Sequence, residues 1–306
     1  MHSAPEPQRE VDVIVIGGGP AGLSAALCLG RARRSVVVLD RGGPRHAVSA
    51  GVHNFLTREG IAPAELRRIA WEQMRAYPSV RREEASVAAI ERRGDRWIVG
   101  TKGGASWSAG DVLLATGVVD QHPSIPGYAA LWGRSIFLCP YCHGWEVQDQ
   151  ALAVLGQGPG LAHLGPLLLG WSRDVVVCTD GVALDPEVQA GLVARGLEVR
   201  TSRIVALEGD GERLTAIVFD DGARLRRDAI FAALTPQLPP LVAGLGLDLD
   251  AMGFVRVDEM GATSRPGIWA AGDLTSFRHQ VVEAAAQGLR AAAAINAHRV
   301  FGAAHR

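Results

Sequence analysis

The chain has 306 residues, 48% of them hydrophobic, which is enough for two domains with substantial cores. Its formal net charge of -1 gives no electrostatic reason to expect nucleic acid or an anionic membrane as partner. Four cysteines, Cys28, Cys139, Cys142 and Cys178, are too sparse for a secreted disulfide scaffold. No apolar signal segment precedes the first buried run, and no run approaches the ~18 apolar residues that span a bilayer, so a soluble cytoplasmic protein is expected.

Residues 1–10 are polar and expected to fray. Val11 to Ile16 reads as a buried parallel strand that runs straight into Gly17-Gly18-Gly19-Pro20-Ala21-Gly22. A helix from Ala21 to Arg31 follows, then a strand from Ser35 to Leu39 ending at Asp40, which completes a βαβ unit. Residues 61–77 read as a helix, 87–107 as an antiparallel meander, and 111–117 as a strand closing in a small-residue turn. After Cys139-Pro140-Tyr141-Cys142-His143-Gly144 a second βαβ unit begins: strand 151–155, loop Gly156-Gln157-Gly158-Pro159-Gly160, helix 161–171 and strand 174–178. Further strands are expected at 199–207, 214–219 and 228–232. A strand and turn at 267–273 precede an alanine-rich helix at 280–296. The expected fold is α/β: two Rossmann-like three-layer (ββα) nucleotide-binding domains, one inserted into the other. The outer domain is expected at 1–119 and 249–306, and the inserted one, carrying the CxxC, at 120–248.

Gly17, Gly19 and Gly22 fit the spacing G-x-G-x-x-G, in which one glycine makes the tight turn, one admits a pyrophosphate and one lets helix pack on strand. The phosphates then face the helix N-terminus, and Asp40 is placed to accept hydrogen bonds from a ribose. The Cys139–Cys142 pair reads as a redox dithiol. A zinc site needs more ligands, and no second CxxC or compact His/Cys pair follows, so no metal is expected. His143, with an ordinary pKa of about 6.5, suits proton acceptance from a dithiol. Cys28 and Cys178 read as core residues. In the second loop the third small position is Leu161. The following strand ends Cys178-Thr179-Asp180-Gly181, with an acid where a cation would hold a 2′-phosphate.

These motifs resemble the low-molecular-weight thioredoxin reductase type of FAD-dependent pyridine nucleotide-disulfide oxidoreductase over essentially the whole chain. The resemblance implies FAD at the first site, held by Gly17, Gly18, Gly19, Pro20, Ala21, Gly22, Asp40, Thr116, Gly272 and Asp273, with Asn54 and Gln280 near the isoalloxazine. It implies electron exchange between Cys142 and the flavin and between Cys139 and substrate, and a homodimer. NADPH is doubtful, because the arginine stretch of the NADPH enzymes is missing. CPYCHG, with histidine after the second cysteine, is closest to the dithiol oxidases of gliotoxin and holomycin type. That implies a small-molecule dithiol as reductant and dioxygen as acceptor. A reductase of a thioredoxin-like protein, fed by NAD(P)H, ferredoxin or another flavin, and a flavin-binding redox sensor remain alternatives.

Overall fold

The computed structural model describes residues 9–158 and 160–302, so the first eight residues of the segment expected to fray, and Pro159 of the second loop, lie outside the described residues. In chain order, β1 (Val13–Ile16) leads into α1 (Pro20–Arg31) and β2 (Val36–Asp40). α2 (Pro63–Met74) and β3 (Val80–Glu84) follow, then β4 (Val87–Arg93), β5 (Arg96–Thr101), β6 (Ser106–Ala109) and β7 (Asp111–Leu114). Next come β8 (Ile136–Phe137), α3 (Pro140–His143), β9 (Leu152–Gly156), α4 (Leu161–Leu168), β10 (Val175–Cys178) and α5 (Pro186–Val193). β11 (Glu198–Arg200), β12 (Ile204–Gly209), β13 (Leu214–Phe219), β14 (Arg224–Arg226) and β15 (Ala229–Ala233) precede the closing β16 (Ile268–Ala270) and α6 (Val281–Phe301).

The chain forms two compact units. The first takes the residues up to Ala47, Pro63–Val119 and Gln237 onward; the second takes Val48–Ala62 and Asp120–Pro236. This differs from the expected boundaries in two places. Residues 48–62 group with the unit that carries the CxxC, and the return falls at 236/237 rather than at 249.

In the first unit a five-stranded parallel sheet runs β16-β7-β1-β2-β3. Its central strands are buried on both faces, so alternate residues serve different layers. Ile14, Ile16, Val37, Leu39, Val112 and Leu114 face the meander, packing with Trp97, Val99 and Trp107. Val13, Val15, Val36, Val38 and Leu113 face the helices, packing with Ala25, Leu29, Ala291 and Ile295. The second unit repeats this plan with sheet order β8-β15-β9-β10-β11 and a three-stranded antiparallel sheet β12-β13-β14. Ala153, Leu155, Val176 and Cys178 pack towards Ile217 and Phe219, while Leu152, Val154, Val175 and Val177 pack towards Leu161, Leu164 and Leu168. The expected three-layer α/β architecture is therefore present in both units.

Several elements differ from expectation. Residues 9–10 pair in parallel with Trp107 and Ser108, which extends the meander sheet by one short strand. The single strand expected at 199–207 is two: β11 belongs to the parallel sheet and β12 to the antiparallel one. Between them Asp180, in a left-handed conformation, accepts a hydrogen bond from Ile204 N at 2.8 Å and starts the new strand. α4 stops at Leu168 rather than 171. Pro166 removes one donor from the helix, and Leu169, Gly170 and Trp171 bond three residues back. α6 runs on to Phe301. Cys178 is fully buried and its thiol is pushed up to about 12 by burial; burial likewise raises the Cys28 thiol.

Helix α6 approaches α1 closely because position 288 is glycine: a Cβ there would stand 2.0 Å from the carbonyl oxygen of Ala21. Gly288→Ala must push the two helices apart and is expected to cost about 1–3 kcal/mol, the range for overpacking. A thermal midpoint equal to that of the wild type would contradict this close approach.

Candidate active site

The dithiol sits at the start of a one-turn helix. Cys139 is the extended N-cap of α3, and Pro140 occupies the first helical position, where a missing N–H leaves nothing unsatisfied. The amides of Cys142 and His143 both donate to Cys139 O, at 3.1 and 3.2 Å. Spacing of i, i+3 then sets the second cysteine on the same helix face as the first. Both residues are partly exposed thiols in this structure. Gly144 closes the turn, and no larger residue fits there. A Cβ would lie 2.6 Å from Pro140 O and 2.8 Å from the Trp171 ring.

His143 is held from two sides. Its ring stacks on Phe137, with centroids 4.4 Å apart and planes 10° apart. Its Nε2 lies 2.9 Å from Ser49 Oγ, and its Nδ1 is buried with no hydrogen-bond partner among the described residues. Burial pushes its pKa down to about 4. The nearby Glu146 pulls it back up in part, and His53 adds to the depression. The imidazole is therefore neutral at pH 7, the form that can accept a proton, although it is a weaker base than the ordinary value suggests.

Residues 48–62 brace the dithiol helix. A bridge between Val52 and Ile61 closes this segment into a loop. Glu59 ties it internally, with one carboxylate oxygen 2.7 Å from His53 Nδ1 and the other accepting from Asn54 N at 2.8 Å. His53 Nε2 lies 3.5 Å from Glu146. Asn54, at φ +60°, turns its Nδ2 to donate to Tyr141 O at 2.7 Å, inside the CxxC itself. The contact seen for the Asn54 side chain is thus the dithiol helix. Tyr141 meets Trp171 edge to face at 5.4 Å. Tyr141 and Trp145 are 61% and 72% exposed beside the two cysteines.

The first unit gathers the other expected residues at the carboxyl ends of its parallel strands. Gly17 has φ +110°, and a Cβ there would stand 2.2 Å from Ala115 O, beside the turn that holds Thr116. A Cβ on Gly22 would stand 1.9 Å from Gly17 O, so the loop and α1 pack as the motif requires. Gly19 is different: among the described residues nothing lies within 4 Å of where its Cβ would be. That open space stands before the N-terminus of α1, which has no side-chain cap and has Pro20 and Ala21 at its start. This cradle fits a pyrophosphate. Asp40 is nearly buried, lies against Gly18, pairs with Arg67 and accepts from Gly42 N at 3.2 Å. Asp273 pairs with Arg45 at 2.9 Å, and Arg45 also lies 2.8 Å from His279 Nδ1. Gly272, at φ +82°, donates its N–H to Gln287 Oε1 at 2.7 Å. Gln280 is the N-cap of α6. His46 Nε2 is buried in the same unit without a hydrogen-bond partner among the described residues, and the Asp273 charge acts on that ring. A polar group left open there is consistent with a polar cofactor.

The second glycine loop is less complete. Gly158 takes a positive φ, but Leu161 is fully buried in the core, and the glycine that lets α4 approach β10 is Gly165, one turn later. Asp180 Oδ1 accepts from Ile204 N. Ser49, Glu59, Arg67 and Gln287 were not singled out by sequence patterns. Their partners are distant in the chain or lie in loops with no periodic signal. Among the described residues no set of three or more His, Cys, Asp or Glu could hold a metal ion, and no helix is long and apolar enough to cross a membrane.

Residues 11–288 match the family described as pyridine nucleotide-disulphide oxidoreductase. The chain belongs to that family. It is 33% identical over 309 residues to thioredoxin reductase sirT of Leptosphaeria maculans, with 93% of each chain covered. Among solved structures, HlmI is 37% identical with a TM-score of 0.91, covering 96% of this chain and 93% of that one. TrxB of Bacillus anthracis, assigned as a thioredoxin reductase, is 36% identical with a TM-score of 0.90, covering 95% and 98%. The protein is accordingly an enzyme, an FAD-dependent disulfide oxidoreductase of thioredoxin reductase-like type, as the motifs implied.

The depressed pKa of His143 makes stability depend on pH. In the unfolded chain its imidazole takes up a proton below its ordinary 6.5, while the folded site resists until about 4. The unfolded state binds more protons between those values, so stability falls as pH drops through that window and levels off below it. Wild-type protein should lose more stability between pH 6.5 and 4.5 than His143→Gln does. Equal losses in chemical denaturation would contradict the burial.

Proposed function

We propose that this enzyme is a dithiol oxidase that closes a disulfide in a small-molecule dithiol and passes the electrons to dioxygen without a nicotinamide. The observation that carries this reading is Asp180. It stands where a cation would hold the 2′-phosphate of NADPH, and its carboxylate is engaged by Ile204 N. His143 directly after Cys142 supports it, as a neutral base beside the dithiol.

The cycle needs the Cys139–Cys142 disulfide. A substrate thiolate attacks Sγ of Cys139; the S–S bond breaks and Cys142 leaves as a thiolate. The second substrate thiolate attacks the substrate sulfur of this mixed disulfide, so the substrate disulfide forms and Cys139 is released. The substrate loses two electrons and two protons, and the protein pair gains the electrons. His143 takes the proton of the first substrate thiol and passes it to a leaving cysteine thiolate, which frees it to take the second. Asn54, through Tyr141 O, and Gly144 keep the short helix in place during the exchange. FAD, when bound, supplies a two-electron acceptor that dioxygen reoxidises to give hydrogen peroxide. Gly17 to Gly22 and the N-terminus of α1 would hold its pyrophosphate, Asp40 a ribose and Asp273 the ribityl–phosphate region. Thr116, Gly272, Asn54 and Gln280 complete the proposed set. A cytoplasmic homodimer belongs to the same proposal and rests on the family resemblance alone. The exposed Tyr141 and Trp145 favour a second reading, in which a thioredoxin-like protein meets the dithiol there.

Anaerobic titration of the flavin absorbance band tests the proposal. A dithiol should bleach it and air restore it, while NADPH and NADH leave it unchanged. Rapid bleaching by either nicotinamide would replace the oxidase with a nicotinamide-fed reductase. Cys142→Ser should retain flavin yet lose bleaching by dithiol by a factor of at least ~10³, because no disulfide can form. Bleaching at the wild-type rate would remove Cys142 from the electron path.

A further inference from the structure

The hydroxyl of Ser49 has two neighbours and one proton. It lies 2.7 Å from Gly51 O and 2.9 Å from His143 Nε2. A carbonyl oxygen can only accept, so the Ser49 proton points to Gly51 and a lone pair of Oγ faces the ring. Were Nε2 unprotonated, two lone pairs would meet at hydrogen-bond distance. Nε2 must therefore be the N–H nitrogen. The Phe137 stack holds the ring plane, and Nδ1 is buried with no hydrogen-bond partner among the described residues.

We propose that Ser49 is a positioning residue that fixes His143 as its Nε2–H tautomer, so that Nδ1 is the atom that receives the thiol proton. This rests on the base role of His143 stated under the proposed function. In the step itself the S–H bond breaks, an Nδ1–H bond forms and the electron pair stays on sulfur as thiolate. The imidazole becomes an imidazolium whose Nε2–H still donates to Ser49. Glu146 and His53 are the other charged or titratable groups acting on this ring. Neither competes for Nε2, since His53 uses its own nitrogens on Glu59 and Glu146. The link spans 94 residues of sequence, from the 48–62 loop to the CxxC helix, and both ends lie in the second unit.

The test is nitrogen NMR of the holoenzyme labelled with 15N-histidine, the His143 signals being those lost in His143→Gln. The wild type should show a protonated, pyrrole-type Nε2 and an unprotonated, pyridine-type Nδ1. Ser49→Ala should give a tautomer mixture. Its dithiol-driven flavin bleaching should slow by about tenfold, part of the ~10²–10⁴ that a positioned base contributes, with unchanged flavin content. Ser49→Thr, which keeps the hydroxyl, should restore both readouts. An Nδ1–H signal in the wild type, or an unchanged tautomer in Ser49→Ala, would overturn the proposal. The tautomer is read without turnover and independently of the electron acceptor, so a failed oxidase reading is distinguishable. If His143→Gln bleaches as fast as wild type, the base role fails instead.

Discussion

A parallel strand covered on both faces has no place for a polar side chain until it ends. In this chain that constraint governs both units: β1, β2, β7, β9 and β10 are apolar almost throughout, each residue serving one layer or the other. Chemistry is displaced to the carboxyl ends, where backbone turns and helix N-termini supply polar groups. Gly17, Asp40, Thr116, Gly272 and Asp273 all lie at or just beyond such ends. They are far apart in sequence yet neighbours in one unit because their strands are adjacent in the sheet. The glycines add the second requirement, close approach: at Gly17 and Gly22 a single Cβ would collide with the backbone opposite.

The dithiol site follows a different logic. It does not rest on a long strand but on one helical turn after the two-residue β8, too short to hold itself. Its stability must come from outside, and residues 48–62 supply it through Asn54 and Ser49, with Phe137 and Trp171 packed alongside. Burying His143 in that packing explains why its imidazole resists protonation. The same packing leaves Tyr141 and Trp145 exposed beside the two cysteines.

Much of this was legible in the sequence. Hydrophobic runs followed by glycine loops gave both βαβ units, and the CxxC stood out as a redox pair by its spacing. The strand expected at 199–207 was misread because β-propensity runs on through residues that turn a corner. The turn is made by Asp180, which lies in another part of the sequence. Asn54 was noticed only through resemblance, and its partner Tyr141 O is 87 residues away. Ser49 left no pattern at all, since one hydroxyl in an irregular loop has no period. Local pattern reports what a residue is; which distant group it faces is settled by packing.

The two remaining cysteines bear on how clean the chemistry can be. Cys178 is sealed in the core and Cys28 is half-covered on α1, and both thiols are held in the protonated, unreactive form by burial. An enzyme that repeatedly makes and breaks sulfur–sulfur bonds is exposed to a particular fault, in which a bystander thiol captures the mixed disulfide and stalls the cycle. Here Cys178 is out of a reactant's reach, and the partly covered Cys28 is kept protonated by its raised pKa. Chemoselectivity is thus set by what the hydrophobic layers hide as much as by what the active site presents.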